Sequence, residues 1–210
     1  MSLINICKYC GMYEAEKEID YSTSEAICPF CTKRVKFNSK PLCLVGGASG
    51  IGKTTILHHL LDSKTGFILL DSDVLWRDSY AGDPVYTFMN DWLRLIKNMN
   101  LSDAKVVLFG AGFVVPENIV KCTESRYFSS IRYLALTSTE EILKKRLSPR
   151  PEWRNSHREE YIKDHINFNN WIRTNGKKIG GDQYTILDTS HQTIEESSAL
   201  VMKWISENTI

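Results

Sequence analysis

The stretch Gly47-Ala48-Ser49-Gly50-Ile51-Gly52-Lys53-Thr54, followed by Thr55, fits the pattern GxxxxGK[ST]. It stands between a short apolar run, residues 41–45, that reads as a buried strand, and residues 54–61, which read as a helix. In that setting the glycines let successive backbone N–H groups curl around a phosphate chain. Lys53 then reaches the terminal phosphates, and the Thr54 hydroxyl serves Mg²⁺. The pattern predicts a nucleoside triphosphate site built from Gly47, Ala48, Ser49, Gly50, Ile51, Gly52, Lys53, Thr54 and Thr55. The loop alone leaves open whether the phosphate goes to an acceptor, to water or nowhere.

Outward from the loop, short apolar runs alternate with amphipathic stretches, as a parallel sheet with crossover helices requires. Strands are expected at 42–45, 67–70, 105–109, 131–136 and 184–187, and five such runs suit a doubly wound α/β sheet. Val85, Phe88, Met89, Trp92, Leu95, Ile96 and Met99 recur at spacings of three and four behind Pro84, predicting a helix with one apolar face. Ser138 with Glu141, and Thr193 with Glu196, have capping-box spacing and predict two further helix starts.

Upstream, Cys7-x2-Cys10 and Cys28-x2-Cys31 are separated by 17 residues. Two such pairs at that distance predict a four-thiolate zinc site, with disulfides as the competing reading. Four thiolates leave no open coordination position, so the zinc holds structure together and does not catalyse. Residues 1–37 are too few and too polar to bury a core unaided, which is why a metal staple is expected there. The chain therefore divides into a four-cysteine zinc-ribbon module at 1–37, a linker at 38–40 that ends the basic stretch Lys33 to Lys40, and a main domain at 41–210. Cys43 and Cys122 read as single core or surface thiols.

Lysine and arginine number 26 against 25 aspartate and glutamate, a net charge of +1, so overall charge gives no case for nucleic acid. Residues 1–8 lack a basic segment leading into an apolar core, and no apolar run approaches the roughly 18 residues needed to cross a bilayer. A cytoplasmic protein with no membrane partner is expected.

Leu70-Asp71-Ser72-Asp73 closes the second strand, and in an open parallel sheet the carboxyl ends of strands line the ligand crevice. One carboxylate there can serve Mg²⁺ and the other can accept a proton from an attacking hydroxyl. Asp71 is assigned to the metal and Asp73 to the base, against the alternative that one of them only caps the following helix. The third strand ends in Phe109-Gly110-Ala111-Gly112, with no acid where many ATPases carry their Walker B aspartate. Arg146 and Arg150, with Arg154 and Arg158 beyond, form a basic segment over 146–158. As a lid it would offset the charge of a transferring phosphoryl group; as a solvated face it would do nothing. His58, His59 and His165 carry no assignment, although Asn167, Asn169 and Asn170 beside His165 could face a polar substrate. Leu187-Asp188-Thr189-Ser190 ends the last strand as a base-contacting loop or a capping turn.

Together, the loop at Gly47 to Thr54, the "LLDSD" ending the second strand, the arginines from Arg146 to Arg158 and the terminal "LDTS" resemble the small P-loop kinases. These include the shikimate, gluconate, adenylylsulfate and nucleoside or nucleotide kinases. The resemblance covers residues 41–210 and implies a P-loop NTPase three-layer fold with a five-stranded parallel sheet, its P-loop strand at the centre. It implies ATP and Mg²⁺, an aspartate at Asp71 or Asp73 for the metal or the acceptor hydroxyl, and lid arginines at Arg146 or Arg150. Only Arg77 and Arg94 supply arginine between Asp73 and Lys105, which favours a neutral hydroxylated acceptor over a phosphorylated one. The leading expectation is an ATP-dependent phosphotransferase acting on a nucleoside-like, sugar-acid-like or antibiotic-like hydroxyl. A kinase of nucleic-acid ends docked through the zinc module is an alternative that the near-zero charge does not favour. A nucleotide-dependent switch, with a protein partner on the zinc module, is the other. No NKxD-type motif follows the fourth strand, which disfavours GTP.

Overall fold

A computed structural model describes residues 4–63, 65–150 and 158–209. Strand β4 (Leu42–Gly46) is buried along its whole length. Its neighbours β6 (Val106–Phe109) and β7 (Ile131–Thr137) run parallel on either side, and β5 (Ile68–Asp71) and β8 (Tyr184–Asp188) complete a sheet of order β5-β6-β4-β7-β8. The P-loop strand is central. All four strand pairs are parallel.

The sheet is covered on both faces, and the strand alternation shows how. Leu42 and Leu44, Val106 and Leu108, Tyr133 and Ala135 enter one core, against α2 (Val85–Leu101) and α3 (Pro116–Val120). Cys43 and Val45, Val107 and Phe109, Leu134 and Leu136 enter the other, against α1 (Lys53–Leu61), α4 (Glu140–Leu147) and α6 (Ile194–Asn208). The long α5 (Glu159–Gly180) serves both: Ile162 and Ile166 join the second core and Ile172 the first. Strands buried on two faces have no polar alternation, which is why they read as unbroken apolar runs. On α2 the inward stripe includes Leu93 and leaves Val85 and Leu95 at 47% and 40% exposure, a rotation from the face expected from the spacing.

Two helix starts differ in detail. Thr193 makes the expected reciprocal box with Glu196. At α4 the cap is Thr139, whose hydroxyl accepts from Ile142 N–H, and Ser138 is not available for the role. The backbone of Ser138 is bonded on both sides to the buried Asn169 amide, and its hydroxyl meets that of Ser190.

Upstream lies a three-stranded antiparallel sheet, β1 (Glu18–Asp20), β2 (Glu25–Ile27) and β3 (Arg34–Lys36), in that order. Ile4, Ala26, Val35 and Phe37 pack on Tyr127 of the main body, with Leu101 of α2 alongside. Residues 38–40 run along the body with their side chains bonded to it: Ser39 to the Tyr127 carbonyl, Asn38 and Lys40 to the α2 end at Asn100 and Asp103.

Candidate functional site

The loop leaves β4 at Gly47, whose φ of +140° suits glycine. A Cβ there would lie 2.3 Å from the Leu136 carbonyl oxygen, so the loop can hug β7 only without a side chain. Lys53 opens α1 and turns back, Nζ donating to the carbonyls of Gly47 and Ala48 at 2.9 Å each. Desolvation pushes its pKa down to about 8; Arg150 acts in the same direction, against Asp73 and Asp71.

In front of the loop is a cavity of about 570 Å³ whose walls include Lys53, Thr54, Asp71, Asp73, Arg150 and His165. Asp71 ends β5 and its carboxylate accepts from the Asp73 N–H at 3.0 Å, capping a 3₁₀ turn, Ser72–Leu75. The capping role considered for this pair thus falls on Asp71. Trp92 on α2 anchors the turn by donating its indole N–H to the Ser72 carbonyl at 3.0 Å. The end of β6 contributes Phe109, Gly110 and Ala111, without an acid. A Cβ on Gly110 would sit 2.5 Å from the Ser72 hydroxyl, so the two strand ends approach too closely for any side chain there. Thr54 and Asp71, a hydroxyl and a carboxylate lining the same cavity, are oxygen donors of the kind a hard cation such as Mg²⁺ takes.

The two arginines part company. Arg150 lines the main cavity and donates to the Ser49 hydroxyl at 2.9 Å. Arg146 instead reaches behind the loop, to the carbonyls of Ile51 and Thr189 at 3.4 and 3.2 Å. It borders a neighbouring cavity of about 330 Å³ with Gly52, Thr55 and Thr189, which Arg150 also touches. Thr189 ties this wall to the loop by donating to the Ile51 carbonyl. Arg154 and the rest of the expected lid, 151–157, lie outside the described residues.

His165 was not assigned from the sequence, yet its Nδ1 accepts the Ser49 N–H of the phosphate loop at 3.1 Å. Tyr161, one turn earlier, packs its ring 4.2 Å from the imidazole, and both face the cavity. Burial, with Lys53 and Arg150 close by, pushes the His165 pKa down to about 4 and keeps the ring neutral. The signal was the i, i+4 spacing of Tyr161 and His165, which puts them on one helix face. Asn169, by contrast, is fully buried and bonded to Ser138, away from any substrate.

Cys7, Cys10, Cys28 and Cys31 bring their sulfurs within 4.8 Å of one another, and the Cys7–Cys31 and Cys10–Cys28 pairs stand at 3.7 Å. A tetrahedral zinc with Zn–S bonds of about 2.3 Å needs sulfurs about 3.8 Å apart. The N–H groups of Tyr9 and Cys10 hold the Cys7 thiol down at about 6, favouring the thiolate that a metal binds.

This centre is fixed to the body by a buried polar network. Glu124, fully buried, pairs with Lys97 of α2 and accepts from Arg94 at 3.0 Å and from Asn5 at 3.0 Å. Lys97 also donates to Asn5 at 2.7 Å and lies 4.0 Å over the Tyr127 ring, whose hydroxyl donates to the Ala15 carbonyl.

No protein-family model and no curated protein matches the chain. Among solved structures, a sugar kinase from Janibacter sp. HTCC2649 superposes with a TM-score of 0.58 at 17% identity, covering 80% of this chain and 95% of that one. A tunicamycin resistance protein from Deinococcus radiodurans gives 0.54 at 14% identity, with 80% and 95% covered. A gluconokinase from Sinorhizobium meliloti 1021 gives 0.51 at 17%, with 82% and 94% covered. With its central P-loop strand and five parallel strands, the chain has the fold that these small P-loop kinases share.

Proposed function

We propose that this protein is an ATP-dependent phosphotransferase that moves the γ-phosphoryl group to a hydroxyl of a small, unphosphorylated molecule. The observation that carries the reading is one cavity lined both by the phosphate loop with Lys53 and by Asp73. In it, loop amides and Lys53 hold the phosphates, and Asp73 accepts the proton of the acceptor hydroxyl as that oxygen attacks phosphorus. Arg150, at Ser49, offsets the charge that builds on the phosphoryl oxygens. Thr54 and Asp71 would hold Mg²⁺, which when bound screens the phosphate charge. Arg146, Thr189 and the smaller cavity take the rest of the nucleotide. Residues 1–37 would form a zinc-stapled module. Asp73 is solvent-facing and Arg77 is the one cation among 71–90, which suits an unphosphorylated hydroxylated acceptor, and the fold neighbours include kinases named for sugar and gluconate. The test is ADP release measured with and without a panel of sugars, sugar acids, nucleosides and aminoglycoside-like alcohols. Turnover that rises with one acceptor class supports the reading; turnover indifferent to every acceptor leaves an ATPase switch.

A further inference from the structure

We propose that His165 is a phosphate-contacting residue of the donor site that changes from hydrogen-bond acceptor to donor when a triphosphate binds, taking one proton from solvent. The proposal rests on the reading of Gly47 to Thr54 as a triphosphate site, and on no particular acceptor.

A backbone N–H can only donate, so the Nδ1 atom that receives Ser49 N–H must carry the lone pair, and the ring proton is on Nε2. Ser49 belongs to the loop whose amides are the natural ligands of phosphate oxygens. The imidazole therefore occupies a bond that a phosphate oxygen takes when the nucleotide enters. When it yields that bond, its helix keeps it beside the loop. Tyr161 packs against it, and Ile162 and Ile166 fix that stretch of α5 in the core.

The charges around the ring favour the switch. Burial first, then Lys53 of α1 and Arg150 beyond α4, oppose a proton on His165, while Asp164 of its own helix favours one. Asp71, Asp73, His58 and Tyr161 share the cavity. A triphosphate brings several negative charges into this space; they neutralise the two cations and attract a proton to the ring strongly enough to offset its burial. Ser49 N–H passes to a phosphate oxygen, a solvent proton adds to the vacated lone pair, and Nδ1–H then donates to the phosphate as a charge-assisted bond. One proton is taken up, and the imidazole becomes an imidazolium.

The experiment is calorimetric titration of the full-length protein with ATP and Mg²⁺ from pH 8 to pH 6, in two buffers of different ionisation enthalpy. His165→Asn places an amide oxygen near the Nδ1 position but cannot titrate; His165→Gln is measured alongside it in case one variant folds poorly. Comparing proteins at each pH removes the nucleotide's own titration. Between pH 8 and pH 6 the wild-type affinity is expected to gain at least about fivefold over that of either variant, with proton uptake in excess of the uptake that both variants show. Equal pH profiles and equal proton uptake in wild type and variants would overturn the role of His165 while leaving the triphosphate site standing. Absence of ATP binding by wild type at every pH would overturn that reading and the proposal with it.

Discussion

Lys97 and Glu124 form an ion pair whose side chains are 2% and 0% exposed, and it lies where the cysteine-bearing segment meets the body. Asn5 contacts both partners. Two charges withdrawn from water are tolerated only while each has its counterpart, so removing one leaves the other stranded. Glu124→Ala should therefore destabilise the protein by about 3–5 kcal/mol in urea unfolding. A loss under about 1 kcal/mol would mean that the network is solvated in solution.

The same contacts make the four-cysteine centre matter to the whole molecule. Its strands share a core cluster with Tyr127 and Leu101, so loss of the metal should loosen the docking surface as well as the knuckles. Purified protein is expected to carry one zinc per chain, and chelation or Cys28→Ser should lower the main thermal transition. An unchanged transition after complete metal removal would contradict this.

Lys53 is partly buried on the cavity wall, and desolvation weakens its hold on a proton. Its pKa in the folded protein is about 8, below the ordinary 10.5. A lysine with a depressed folded pKa binds its proton more weakly in the native state. It therefore costs stability below pH 8, and the cost fades as pH rises from 8 towards 10.5. Lys53→Met should raise the Tm of the unliganded protein at pH 7, flatten the pH dependence between 8 and 10, and abolish ATP binding. A variant less stable than wild type at pH 7 would refute the assignment.

Arg150 and Arg146 should separate in kinetics. Arg150 borders the cavity that holds Asp73, so Arg150→Ala is expected to lower kcat by about a hundredfold or more. Arg146 contacts the Ile51 and Thr189 carbonyls behind the loop, so Arg146→Ala should act mainly on the KM for ATP. Equal effects on both constants would show that the two share one role.

Much of the fold was legible because its determinants are local. Each strand of the main sheet is an apolar run ended by a glycine, an aspartate or a polar turn, and all five begin within one residue of the expected position. The phosphate loop and the Thr193–Glu196 box are equally local. The rest depends on partners remote in the chain. Nothing near Ser138 reveals that Asn169 consumes its backbone, and capping falls one residue later, on Thr139. His165 meets Ser49 across 116 residues, and Lys97 meets Asn5 across 92. On one helix turn each looks like an ordinary surface or packing residue. The division of labour between Arg146 and Arg150 was hidden too, because four residues of spacing do not say which side of the loop each side chain reaches.

The most direct test of the account is the transfer of labelled γ-phosphate from ATP to the acceptor found in the panel, by wild type and by Asp73→Asn at saturating ATP. The substitution removes the proton acceptor while keeping the side chain's size, so ATP affinity is expected to hold within about twofold and transfer to fall by about a hundredfold to ten-thousandfold. Transfer by Asp73→Asn at near wild-type rate would contradict the central claim that this carboxylate faces the acceptor hydroxyl across the cavity from Lys53.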